Sequence, residues 1–171
     1  MPPVVVLIGP PGSGKSTVGT SLARLLGTEL RDTDADVEAL AGRSVSDIFV
    51  SDGEEHFRQL ERAAVAKAIA EHDGVLSLGG GAPIDSATQS LLVKYVAGGG
   101  VIAFLDVSLT AAVPRVGLNA TRPLLLGNPR QQWLALMKDR RPVYEGLSTM
   151  TVLTDNRRPA HIANEIAQAI A

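Results

Sequence analysis

Apolar and polar positions along the chain follow two alternating periods. A short, continuously apolar run at residues 4–8 and two largely apolar ones at 75–78 and 101–107 have the length of buried strands. Between them, apolar residues recur every three or four positions. Val18, Leu22, Leu25 and Leu26 share one face of a helix after the first run. Phe57, Leu60, Ala64 and Ala68 do the same on a longer helix after Gly53, and Ile162, Ile166 and Ile170 stripe a last helix that Pro159 opens. Weaker signals fill the intervals: an extended piece at 29–32, a helical turn from about Asp36 to Gly42, and a helix capped by Ser44 or Ser46. Helices follow at 86–96 and from about 130 to 144, with a last strand at 149–153. Ser108 caps a helix that Pro114 must shorten or kink, and residues 117–129, aperiodic and punctuated by Gly and Pro, read as a mobile surface loop. Strands alternating with helices predict an α/β fold, a parallel sheet covered by helices on both faces.

Composition narrows this picture. The 171 residues carry no internal repeat or linker and form one domain, 1–171. A net charge of −2 predicts no nucleic-acid or membrane partner, and no apolar run approaches a membrane span. The first residues lack a basic segment and belong to strand one, so no signal peptide is expected and a cytoplasmic protein is. Without cysteine there is neither a disulfide framework nor a thiolate metal site. Aromatic residues make up only 4%, which leaves Val, Leu, Ile and Ala to build the core.

The strongest chemical signal follows the first strand. Gly9-x-x-x-x-Gly14-Lys15-Ser16 between a buried strand and an amphipathic helix is the P-loop pattern. Backbone N–H groups and the positive helix end receive phosphate oxygens, Lys15 reaches the terminal phosphates, and the Ser16 hydroxyl can hold Mg2+.

Four further constellations aim at the same end of a parallel sheet. Asp32 and Asp34 stand at i and i+2 on an extended segment, so alternation sends both carboxylates to one side; one suits the Mg2+ shell, the other a substrate hydroxyl. A helix N-cap beside a solvated acid is the plainer alternative. Arg58 and Glu61, at i and i+3, could orient a guanidinium for a carboxylate, although spacing alone favours a solvated helix pair. Gly79, Gly80 and Gly81 directly after a strand predict close approach of a ligand to the backbone, whereas Gly98–Gly99–Gly100 precede a strand and read as a connection. Six cations against two anions lie between 115 and 145, including Arg115, Arg122, Arg140 and Arg141, which suits a basic lid closing over phosphates.

Taken jointly, these motifs resemble those of the shikimate kinase family: the P-loop through Thr17, Asp32-x-Asp34, Phe57-Arg58-x-x-Glu61, Gly79–Gly81, Arg122-Pro-Leu-Leu and Arg140-x-Pro142-x-Tyr144, in order and over nearly the whole chain. The resemblance implies transfer of the ATP γ-phosphate to the 3-hydroxyl of shikimate in aromatic amino acid biosynthesis. It implies a three-layer α-β-α sandwich, usually monomeric, with a five-stranded parallel sheet of order 2-3-1-4-5. A substrate-binding segment near 33–61 and a lid near 112–128 belong to the same pattern. It assigns Lys15, Asp34 and Arg122 to catalysis. Gly12, Ser13, Gly14, Lys15, Ser16 and Thr17 would bind ATP together with Arg115, Arg122 and Arg158. Asp34, Arg58, Gly79–Gly81 and Arg140 would bind shikimate, and Ser16 with Asp32 would serve Mg2+. A gluconate kinase on the same core, or a nucleotide-dependent module with no acceptor, remain the alternatives. The first would not need Arg58, the glycine triplet and Arg140 together.

Overall fold

A computed structural model describes residues 1–117 and 128–171. Five parallel strands, β1 (Val5–Ile8), β2 (Leu30–Asp32), β3 (Val75–Ser77), β4 (Ile102–Asp106) and β5 (Met150–Leu153), lie in the order β2-β3-β1-β4-β5. Helices among the described residues are α1 (Lys15–Leu26), α2 (Thr33–Ala41), α3 (Val45–Asp52), α4 (Glu54–Glu71), α5 (Ser86–Ala97), α6 (Leu109–Gly117), α7 (Pro129–Leu147) and α8 (Pro159–Ile170).

Strand periodicity divides the core. Val5 and Leu7 of β1 point to one face, where Val18, Leu22, Ile162 and Ile166 of α1 and α8 cover them. Val6 and Ile8 point to the other, against residues of α4 to α7 such as Val65, Leu92, Ala112 and Met137. Burial of each such side chain contributes about 2 kcal/mol. A smaller cluster of Val37, Ile48, Phe57 and Ala64 holds α2 and α3 on α4.

Several expectations shift. Leu25 is half exposed, because α1 buries Val18, Leu22 and Ala23 instead. The helix expected from Asp36 begins at Thr33, because the Asp32 carboxylate caps it by accepting the Asp34 N–H at 2.8 Å. Ser44, not Ser46, caps α3, its hydroxyl accepting the Asp47 N–H. Pro114 lies inside α6, which continues three residues past it to Gly117. The N-terminal part of the predicted lid is therefore helical. Its residues 118–127, Arg122 among them, lie outside the described residues.

Register sets the site. Asp32 pairs with Ser77 and Ser77 with Leu7, so the ends of β2, β3 and β1 stand in one row at the carboxyl edge of the sheet. The P-loop, the glycine turn and the start of α2 all leave from that row.

Candidate active site

The P-loop joins β1 to α1 and meets the helix at Gly14, whose φ of +89° is a conformation that a side chain would strain. Its carbonyls are held by donors from several directions. Lys15 Nζ donates to Gly9 O at 2.7 Å and Pro10 O at 3.2 Å, Trp133 Nε1 to Pro11 O at 3.0 Å, and an Arg115 guanidinium nitrogen to Gly12 O at 2.9 Å. A cleft of about 270 Å³ opens over this loop, lined by Gly12, Gly14, Lys15, Ser16 and Thr17 on one side and by Asp32, Asp34 and Ser77 on the other. A second depression of about 240 Å³ continues from it between Ser13, Thr17, Arg115, Arg157 and Pro159. Arg157 lines that depression; the predicted Arg158 instead occupies the N-cap of α8 and is exposed. The side chain of Arg157 also reaches Leu153 O and Glu165.

Asp32 and Asp34 both face the cleft, although not by strand alternation. Asp32 ends β2, Asp34 sits in the first turn of α2, and the buried Thr33 accepts the Gly79 N–H at 3.1 Å. Capping and cleft-facing coexist in Asp32. Burial, and then the nearby Asp34 charge, push the Asp32 carboxyl up, opposed by the backbone N–H groups of Asp34 and Ala35 and by Lys15. Two carboxylates that line the same cleft as the Ser16 hydroxyl are hard oxygen donors that fit Mg2+. Among the described residues no group of three or more His, Cys, Asp or Glu could hold a metal. A cation here would draw its other ligands from phosphate and water.

The glycine turn explains itself by side chains. A Cβ on Gly81 would lie 2.5–2.7 Å from the Arg58 guanidinium, and one on Gly79 2.7 Å from an Asp34 carboxylate oxygen and 2.8 Å from Glu61 Oε2. On Gly80 it would approach Arg140 at 3.3 Å. Three glycines thus let four charged side chains from α2, α4 and α7 press on one backbone turn.

Arg58 and Glu61 are no solvated pair. Arg58 donates to Glu61 at 2.7 Å and lies 5.2 Å from the Phe57 ring centroid, and Glu61 keeps only 3% of its surface exposed. Burial pushes the Glu61 carboxyl up against the pull of Arg58; Asp34 raises it further and Arg140 lowers it. Arg140 is 6% exposed and forms no ion pair within 4.0 Å with another described residue. Its neighbour Arg141 is committed elsewhere, donating twice to Asp106 at 2.9 and 3.0 Å, so the basic cluster read from the sequence is partly structural. Arg130 and Lys138 are exposed, as a solvated helix face requires.

Two contacts escaped the sequence reading, although Tyr144 itself closes the motif Arg140-x-Pro142-x-Tyr144. Trp133 and Tyr144, both buried on α7, reach Pro11 O and Gly80 O, the latter at 2.5 Å. For Trp133 the available signal is an aromatic donor seven residues before Arg140 on its helix face, whereas Tyr144, four after it, already stands in the Arg140 motif.

A family model described as shikimate kinase matches residues 11–171. The chain belongs to the shikimate kinase family. It is 53% identical over 171 residues to a shikimate kinase of Salinispora arenicola, covering 100% of this chain and 99% of that one. It is 50% identical over 168 residues to the Thermobifida fusca enzyme, covering 98% and 95%. Among solved structures, shikimate kinase from Acinetobacter baumannii in complex with shikimate superposes with a TM-score of 0.92 at 32% identity, covering 99% of this chain and 93% of that one. A gluconokinase from Sinorhizobium meliloti shares the fold alone, with a TM-score of 0.64 at 20% identity and coverage of 99% and 91%.

Proposed function

We propose that the cleft performs the family's reaction, transfer of the γ-phosphoryl group of ATP to the 3-hydroxyl of shikimate, giving shikimate 3-phosphate and ADP on the route to aromatic amino acids. The P-loop N–H groups, Lys15 and Thr17 hold the phosphates, while Arg115 and Arg157 flank the base. Asp34 orients the acceptor hydroxyl and receives its proton as that oxygen bonds to the γ-phosphorus and the bond to the bridging oxygen breaks. Arg58 and Arg140 grip the carboxylate of shikimate while the ring lies over Gly79–Gly81. Arg122, by family resemblance, brings charge to the transferring group. Ser16 and Asp32 would hold Mg2+, which neutralises phosphate charge when bound.

The observation that carries the acceptor reading is Arg140: a cation 6% exposed, beside the glycine turn and without an ion-pair partner among the described residues, calls for an anionic ligand. We place the reaction in a cytoplasmic monomer, as the resemblance implies. No described helix is long and apolar enough to cross a membrane. The test is ADP release measured separately with shikimate, quinate and gluconate. Stimulation by shikimate above the other two is expected; gluconate as the preferred acceptor, or no acceptor effect, would overturn the reading.

A further inference from the structure

Trp133 is the chain's only tryptophan, 3% exposed, and its indole N–H is spent on the carbonyl of Pro11 at 3.0 Å across 122 residues of sequence. A trans peptide is planar, with its C=O and N–H pointing in opposite directions. Holding the Pro11 carbonyl toward α7 therefore aims the N–H of Gly12, which lines the phosphate cleft, away from α7. The proline pair removes two N–H groups from this loop, so each remaining donor matters more. A peptide flip at this point would present a carbonyl oxygen, rather than a donor, to phosphate. Trp133 also stands on α7 seven residues before Arg140, two turns along the same face. One helix thus fixes a P-loop peptide and carries a substrate-side arginine.

We propose that Trp133 is a positioning residue for ATP: it sets the orientation of the Pro11–Gly12 peptide and reports nucleotide binding through its own emission. The inference rests on the assignment of this cleft to ATP phosphates. Trp133→Phe keeps an apolar ring and removes the donor. Its KM for ATP is expected to rise roughly three- to tenfold, the loss of one neutral hydrogen bond, with the KM for shikimate moving less than about twofold. Leu134→Ala, half exposed on the next position of the same helix, should leave the KM for ATP unchanged. An unmoved KM for ATP in Trp133→Phe, or equal rises in both Michaelis constants, overturns the role. Independently of any variant, titrating the native protein with ADP and Mg2+ without shikimate should change the tryptophan emission; a spectrum unchanged through saturation overturns it as well. A native protein that releases no ADP with shikimate would instead sink the cleft assignment itself.

Discussion

The two halves of the cleft are built from different materials. The phosphate half is nearly all contiguous backbone: Gly9 to Ser16, a strand before it and a helix after it. The acceptor half has no contiguous motif of its own, drawing Asp34 from α2, Arg58 and Glu61 from α4, Arg140 from α7 and a glycine turn from β3. Backbone donors recognise phosphate without regard to what receives it. In the proposed reaction, buried and half-buried side-chain charges held from several elements choose the acceptor. The first half should therefore fail in turnover when its buried lysine is removed, and the second in acceptor affinity.

The largest effect should come from Lys15→Ala. Removing the cation that sits within the P-loop, 8% exposed, is expected to lower kcat about 10²- to 10³-fold in steady-state assays. If kcat held and only the KM for shikimate rose, the division between the halves would be wrong.

Arg140→Ala tests the other side. Losing charge-assisted bonds to a carboxylate should raise the KM for shikimate roughly 10- to 100-fold, while the KM for ATP stays within about twofold. Equal increases in both would mean that α7 is merely being loosened. Gly81→Ala sharpens the same point without touching a charge. Gly81 has a φ of −93°, open to any residue, so alanine suffers only from the Arg58 guanidinium at 2.5–2.7 Å. Displacement of a flexible side chain is expected to raise the KM for shikimate by about tenfold, with the folded state retained. Gly14 is the opposite case: nothing lies within 4 Å of its missing Cβ, and only its positive φ resists substitution.

The same contrast explains what the sequence made legible. A P-loop is local, so its residues, its strand and its helix are read from one stretch of chain. Asp32 was readable as cap or as site acid; it caps α2, one carboxylate oxygen accepting a backbone N–H, while the group still faces the cleft. Arg58 and Glu61 were legible as a pair but not as a buried one. Spacing along a helix states which residues share a face, not what covers it, and here the cover is the glycine turn from β3. Leu25 failed for that reason too: α1 turns a narrower stripe inward than its apolar residues allow. The contacts of Trp133 and Tyr144 were out of reach because their acceptors lie 122 and 64 residues away. The distinction between Arg157 and Arg158 depends on the turn into α8, set by an Asn156 at φ +54° that no periodicity announces.

The smallest expected effect separates a buried carboxylate from a surface one by pH. Burial raises the Glu61 carboxyl above its ordinary value near 4.5 despite Arg58. An acid raised in the folded state favours folding below that ordinary value and loses the contribution as pH rises through its folded value, because the unfolded chain gives up the proton first. Asp85 behaves oppositely. The Arg62 guanidinium holds it down at about 2, so its stabilisation is present above about 3.8 and is lost as pH falls toward 2. Arg62 is exposed, so that contribution is small and salt-sensitive. The two windows do not overlap. In denaturant titrations from pH 2 to 7, Glu61→Gln should flatten the decline in stability above pH 4.5, by no more than the one-proton slope of about 1.4 kcal/mol per pH unit, and leave the acid limb alone. Arg62→Ala should steepen nothing above pH 4.5 and shift only the acid limb. Asp32 is raised as well, so some decline should persist in Glu61→Gln. An unchanged slope would mean that Glu61 ionises as freely as a surface acid, and that the acceptor half holds its arginine without the cost of a buried charge.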